Sequence, residues 1–380
     1  MPAKGGTPPG AAAGNAPARA VAGANAPAGA AARMMRVTLV EPGRLEIDST
    51  ARPVPGPGEA LVKVRRIGVC GSDLTIYRGR HPYAKKPVVM GHEFSGVIEA
   101  LGPGVSGLAP GTRVTVIPHL VCGHCGPCRS ETYNFCEELR CMGAEADGAH
   151  VQFIAVPAGM ALPIPDRMTL DDAALMEPAC VGYHGAKRGE IRPDDQVLVV
   201  GAGPIGIFAQ QSCKALGARK VYVADKDPFR LELAKRLGAD GVIDVSKESL
   251  ADGLTRLAGG KDAVGLYMDC VGETGAVLDQ ILAVARRGSR VVVVGVLQKA
   301  YLLPHLPDFV QHELRLSGTT MYVPQDFREM IGLVSAGTIS TAGMVTHFFD
   351  LSEIEKVFAL LEGRRGNVFK IMLKVNEGDL

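Results

Sequence analysis

Five of the nine cysteines in this 380-residue chain sit where a thiolate can serve a metal. Cys122, Cys125, Cys128 and Cys136 fall within the stretch PHLVCGHCGPCRSETYNFC. Four thiolates complete a tetrahedral shell around zinc and leave no position for water or substrate. Their spacing suits a short lobe wrapped around one ion, where binding is linked to folding. That zinc is expected to be structural, and His124 inside the loop is not needed as a ligand. Upstream, GVCGSDLTIYRG and PVVMGHEFSGVIEALG supply Cys70, His92 and Glu93. A thiolate, an imidazole and a carboxylate with one position left open is the arrangement of a catalytic zinc. Composition alone does not bring these three together.

A second motif points to a dinucleotide. Gly201, Gly203 and Gly206 form G-x-G-x-x-G directly after the apolar run QVLVV and ahead of a helical pattern. The first glycine makes the turn, the second admits a pyrophosphate, and the third lets helix and strand pack closely. The helix N-terminus then faces the phosphates with unpaired N–H groups. Pro204 and Ile205 complete the turn. Asp225 closes the next strand, VYVAD, with Arg230 just beyond. A carboxylate there binds the adenosine ribose hydroxyls and repels a 2′-phosphate, so the expected cofactor is NAD.

These motifs need elements to hold them. From Arg36 to about Val156, ALVKVRRIGV, GVIEALGPGV and TRVTVI read as strands separated by Gly and Pro turns. Leu170 to Lys187 reads as helical. From Asp195 strand and helix alternate: QVLVV, IFAQQSCKALG, VYVAD, PFRLELAKRLG, GVIDV and onward to RVVVVG. Such alternation implies an α/β domain with a parallel sheet covered on both faces. After about Leu316 it stops. QDFREMIGLVSAG and LSEIEKVFALLEG read as helices before a last strand, VFKIMLKV.

Composition narrows the function classes. Apolar residues make up 47% of the chain, enough for real cores, and the formal net charge is +1. No basic stripe argues for nucleic acid, and no apolar run is long enough to span a membrane. Cysteines at metal spacing fit a reducing, cytoplasmic setting better than a disulfide framework. Residues 1–33 are almost wholly Ala, Gly and Pro, with no acid. They are expected to be disordered, or to precede a true start at Met34 or Met35.

Together, GVCGSD, GHE at Gly91 to Glu93, the four-cysteine lobe, MEP at Met176 to Pro178 and GAGPIG resemble the zinc-dependent medium-chain dehydrogenases, in their sorbitol (polyol) dehydrogenase branch. The resemblance covers about Met35 to Val375. It implies a GroES-like, mainly β catalytic domain over 34–185, a Rossmann domain over 186–318, and a segment 319–380 that completes the first. It implies two zinc ions per subunit, with Cys70, His92 and Glu93 on the catalytic one. Glu177 matches a further carboxylate that either binds this zinc or holds its water. Ser72 matches a hydroxyl that passes the substrate proton onward.

The implied reaction moves hydride from the alkoxide of a secondary alcohol (a polyol, sugar alcohol or sugar acid), held on zinc, to NAD. L-threonine-type and sugar-phosphate dehydrogenases are alternatives, as is a non-catalytic relative that binds nicotinamide. A homodimer or homotetramer is implied, paired through the strand after RVVVVG. The chain also departs from the family pattern. Thr75 stands where many relatives have a proton-relaying His, and His81 reads as a surface-loop residue. Met321-Tyr322 stands where sorbitol dehydrogenases tend to have Arg-Tyr, which suggests a substrate that is less polar or is held differently. Tyr77 and Tyr322 are the expected substrate contacts. Cys141, Cys180, Cys213 and Cys270 match no ligand position.

Overall fold

The computed structural model describes residues 32–272, 274–297, 302, 306–363 and 367–377. The Ala/Gly/Pro segment lies outside the described residues up to position 31, and Arg33 already opens the strand Arg33–Glu41. This strand forms a hairpin with Arg44–Ala51.

One sheet has seven strands. Along its path the order is Val345–Asp350, Lys370–Lys374, Glu59–Val69, Glu93–Leu101, Arg113–Val116 and Ala161–Pro163, with Phe153–Pro157 pairing on Glu59–Val69. Every pairing is antiparallel except the one between the last two strands in the chain. Glu59–Val69 shares one side between two partners. Lys63 faces Phe153 at one end, and Val69 faces Ile371 at the other. The C-terminal segment is thus built into the N-terminal sheet.

The second sheet has six parallel strands in the order Gly241–Asp244, Lys220–Asp225, Gln196–Val200, Leu266–Asp269, Arg290–Val293, Arg315–Gly318. Read as 3-2-1-4-5-6, that is the dinucleotide-binding order, with the cofactor crevice where the order reverses. Its first strand is buried at every position, as strands covered on both faces must be. Val197 and Val199 join one core, and Leu198 and Val200 the other. The first of these cores continues through the helices Pro204–Ala215 and Met176–Arg188 into the seven-stranded sheet. Sheet-to-sheet placement is therefore fixed by shared apolar packing around the helix that carries Glu177.

Candidate active site and metal centres

Cys70 follows the end of Glu59–Val69, and His92 precedes Glu93–Leu101. These strands are antiparallel neighbours, with Gly68 opposite Glu93. The register brings residues 70, 92 and 93 to one end of the sheet. A Cβ at Gly68 would lie 2.2 Å from Glu93 Oε2, so only glycine leaves room for that carboxylate. The candidate ligand atoms of Cys70, His92 and Glu93 all lie within 4.8 Å of one another.

The surroundings orient this triangle. Cys70 caps the helix Gly71–Tyr77, and its N–H donates to Asp73 Oδ2 at 2.8 Å. The other oxygen, Asp73 Oδ1, lies 3.6 Å from His92 Nδ1. That separation is longer than a hydrogen bond, so the buried carboxylate acts on the imidazole through its charge. Ser72 Oγ lies 3.5 Å from that Nε2. Burial pushes the His92 imidazole down, but Asp73, Cys70 and Glu177 outweigh it and hold it well above its ordinary value. Glu93 is fully buried, and Lys370 Nζ donates to its Oε1 at 2.7 Å and to the Val69 carbonyl at 3.2 Å. Burial also opposes charge on Lys370, yet Glu93 and Cys70 raise its pKa. Neither Asp73 nor Lys370 was found by sequence reasoning. A GSD turn is too common to single out Asp73, and Lys370 pairs across 277 residues.

Glu177 stands in the first turn of Met176–Arg188, outside the triangle of ligand atoms. Its Oε1 accepts from Tyr322 Oη at 3.0 Å. Burial pushes its carboxyl up to about 7, Glu93 adds to the rise, and His92, Tyr322 and Lys370 oppose it.

The two tyrosines expected to meet substrate each have partners within the protein. Tyr322 is fully buried, with its ring stacked on His119 at 4.7 Å and its hydroxyl on Glu177. Tyr77 donates to the Gly43 carbonyl at 3.0 Å and stacks on Phe358 at 4.4 Å. Thr75 Oγ1 donates to the Gly71 carbonyl of its own helix, at 3.2 Å. His81 is half-buried; burial lowers its pKa, and Glu145 opposes the fall.

The sulfurs of Cys122, Cys125, Cys128 and Cys136 also converge within 4.8 Å. Backbone N–H groups point at them: Cys122 N lies 3.4 Å from Cys136 Sγ, and Cys125 N lies 3.4 Å from Cys122 Sγ. Backbone donors from Glu137 and Cys128 pull the Cys125 thiol down to about 6, whereas burial pushes Cys128 up to about 12. Four sulfurs crowded together with N–H donors aimed at them fit a closed zinc shell, because only a cation lets all of them ionise. His124 is exposed on the lobe surface. Cys180 and Cys213 are buried in the core, and Cys141 and Cys270 lie partly buried outside both clusters.

At the end of Gln196–Val200 the chain turns at Gly201, with φ at +98°, and the helix Pro204–Ala215 starts from Gly203. A Cβ on Gly206 would fall 1.7 Å from the Gly201 carbonyl oxygen, so this helix approaches the turn as closely as the motif requires. Gly203, Pro204 and Ile205 stay partly open to solvent. Asp225 accepts from Ala202 N at 2.7 Å and from Asp227 N at 2.9 Å, which leaves lone pairs for ribose hydroxyls. Arg230 reaches the same turn. Its Nη1 lies 4.0 Å from a Cβ built on Gly203, and its Nε lies 3.6 Å from Asp227. The turn, the open helix end and the carboxylate together fit a dinucleotide.

Fold and site thus define a two-domain class in which a mainly antiparallel domain with two candidate zinc centres is joined to a dinucleotide-binding domain. Comparison with known proteins agrees. Residues 56–166 match the family model "Alcohol dehydrogenase GroES-like domain", and residues 204–336 match "Zinc-binding dehydrogenase". The L-galactonate-5-dehydrogenase of Escherichia coli is 36% identical over 80% of this chain and 88% of its own. The sorbitol dehydrogenase of Bacillus subtilis is 31% identical over 87% and 95%. The crystal structure of RspB from E. coli CFT073, titled a short chain alcohol dehydrogenase complexed with NADH, superposes with a TM-score of 0.83 at 33% identity, covering 90% and 99%. The chain belongs to the zinc-dependent medium-chain dehydrogenase family, an enzyme family, in its polyol dehydrogenase branch. Among the described residues no helix is long and apolar enough to cross a membrane.

Proposed function

We infer that the protein oxidises a secondary alcohol of a polyol, sugar alcohol or sugar acid, with NAD as hydride acceptor. The observation that carries this reading is the Cys70, His92 and Glu93 triangle with the Ser72 hydroxyl beside it. Cys70, His92 and Glu93 would hold a zinc ion, which would supply a Lewis acid to lower the pKa of the substrate hydroxyl. Asp73 sets a buried negative charge beside His92, and Lys370 balances the charge of Glu93. Ser72 Oγ is placed to accept the hydroxyl proton. The Gly201–Gly206 turn would hold the pyrophosphate of NAD and Asp225 its ribose, and the bound cofactor would supply the hydride acceptor. The products are a ketone, NADH and one proton.

Glu177 serves this site as a carboxylate near the ligand triangle, with Tyr322 as its donor. Met321, where sorbitol dehydrogenases tend to have Arg, favours a substrate with fewer polar groups at its far end. The seven-stranded sheet supports a division near 185 and 319, with the helix Met176–Arg188 running across the first of these limits. The edge strand Arg315–Gly318, with Leu316 exposed, suits pairing into a homodimer or homotetramer. Nine unpaired cysteines fit the cytoplasm.

The test is NADH formation across sorbitol, xylitol, L-idonate, L-galactonate, 2,3-butanediol and L-threonine, before and after chelation. The expected outcome is turnover of a polyol, diol or sugar acid that chelation abolishes and zinc restores. Turnover confined to L-threonine would move the assignment to the amino-alcohol class. No turnover by a zinc-loaded, NAD-binding protein would refute the reading.

A further inference from the structure

Residues 319–323 join the edge strand Arg315–Gly318 of the parallel sheet to the helix Pro324–Ser335, and so form a strap beside Glu177. Met321 within it has φ at +48°. A residue with a side chain holds that left-handed conformation only where its surroundings over-determine it. The surroundings are specific. Asn134 Nδ2 donates to the Thr320 carbonyl at 3.2 Å. Tyr322 is locked between the His119 ring and Glu177. Val323 N donates to Asp326 Oδ2 at 3.0 Å, and Asp326 is gripped from the Glu177 helix by His184 at 2.7 Å and Lys187 at 2.8 Å.

Both holds on the front of the strap come from the four-cysteine lobe. Asn134 lies in the turn Tyr133–Phe135, next but one to Cys136, and is buried. His119 pairs with Cys141 across the hairpin at the base of the lobe, three residues before Cys122. Its ring is buried, and neither nitrogen has a hydrogen-bond partner, so its contribution here is the flat face it offers Tyr322.

We propose that the four-cysteine lobe positions the Glu177 carboxylate: Asn134 and His119 hold the strap, and Tyr322 carries that hold to Glu177. Asn134, His119 and Tyr322 are positioning residues. None of them reacts, and each acts through the next. A zinc with no open coordination position then matters to catalysis because it stiffens the element against which the Glu177 carboxylate is set. This inference rests on the reading of Glu177 as part of an alcohol-oxidising site.

The experiment is a double-mutant cycle on the zinc-loaded full chain. NADH formation from the best alcohol of the panel above is followed for Asn134→Ala, Tyr322→Phe and the two combined, alongside zinc content and KM for NAD. Tyr322→Phe is expected to lower kcat about 10-fold or more, the loss typical of a hydrogen bond to a charged group. Asn134→Ala is expected to lower kcat about 3- to 5-fold with zinc content and KM for NAD unchanged, about what a neutral hydrogen bond contributes. The combined variant should be no slower than Tyr322→Phe alone, because the hold then has nothing left to transmit.

Losses that multiply in the combined variant would overturn the inference. So would wild-type kcat in either single variant. If Asn134→Ala does not fold, Asn134→Ser takes its place in the same cycle. A wild-type protein silent on the whole panel would overturn the alcohol-oxidation reading itself, and that result is seen before any variant is made.

Discussion

Lys370→Met isolates the contribution of one buried charge. The Lys370 ammonium lies 2.7 Å from Glu93 Oε1, and both side chains are shielded from water. At the effective dielectric that suits protein interiors, two charges this close attract by about 6 kcal/mol, of which desolvation offsets a large part. Removing one partner leaves the other buried and uncompensated, which typically costs about 3–5 kcal/mol.

Zinc changes that sum. A cation held by Cys70, His92 and Glu93 supplies a second counter-charge to the same carboxylate. The metal-free variant should therefore lose the full 3–5 kcal/mol, and the zinc-loaded variant noticeably less. Linkage then requires the variant to bind zinc more tightly at this site: about 1–2 kcal/mol of coupling corresponds to roughly 5- to 30-fold. Two assays check this. Urea midpoints are compared for wild type and Lys370→Met, each chelated and reloaded, because midpoints need no two-state assumption across two domains. Competition with a chromogenic chelator gives the zinc affinity. An equal midpoint loss with and without zinc, or weaker zinc binding in the variant, would refute the argument.

Three further outcomes follow from the structure. Cys136→Ser should release one of the two bound zinc ions while NAD binding persists; unchanged metal content by elemental analysis would contradict the closed four-sulfur centre. Burial pushes His119 down to about 4 from 6.5, so the unfolded chain binds a proton that the folded one refuses. That stability is complete above pH 6.5 and is lost as pH falls toward 4, by about 1.4 kcal/mol per unit. His119→Phe should flatten this slope in urea midpoints measured between pH 4.5 and 7, and an unaltered slope would count against it. Asp225→Ser should raise KM for NAD by about 10- to 100-fold and narrow the preference over NADP. A variant that kept its NAD affinity would show that the ribose is held elsewhere.

The parts of the fold legible in the sequence are those governed by local pattern. QVLVV and its neighbours alternate with helical stretches at a period that only a covered parallel sheet satisfies, and the sheet has the dinucleotide-binding order. The four cysteines lie within one short stretch, so spacing alone sufficed to group them. The Cys70, His92 and Glu93 cluster needed a family resemblance, because strand register rather than spacing brings these residues together. What stayed hidden is long-range and polar. Lys370 reaches Glu93 across 277 residues and Tyr322 reaches Glu177 across 145, and a lysine in KIMLK reads like any solvated charge until that strand is inserted. Tyr77 and Tyr322 were named from the sequence as candidate substrate contacts. Their direction depends on partners, Gly43 and Glu177, that no periodicity encodes.

The insertion of Lys370–Lys374 against Glu59–Val69 also has a consequence in time. On the ribosome, Glu93 emerges 277 residues before its counter-charge. At synthesis rates of about 5–20 residues per second, that is a wait of roughly 14–55 s. Throughout it, the Arg66–Val69 half of the strand has an open hydrogen-bonding edge and the carboxylate has no ammonium to meet. The parallel-sheet domain, contiguous in sequence from about Gln196 to Gly318, can close in the meantime. The topology therefore allows a closed cofactor domain beside a catalytic sheet that stays incomplete until Lys370–Lys374 is synthesised.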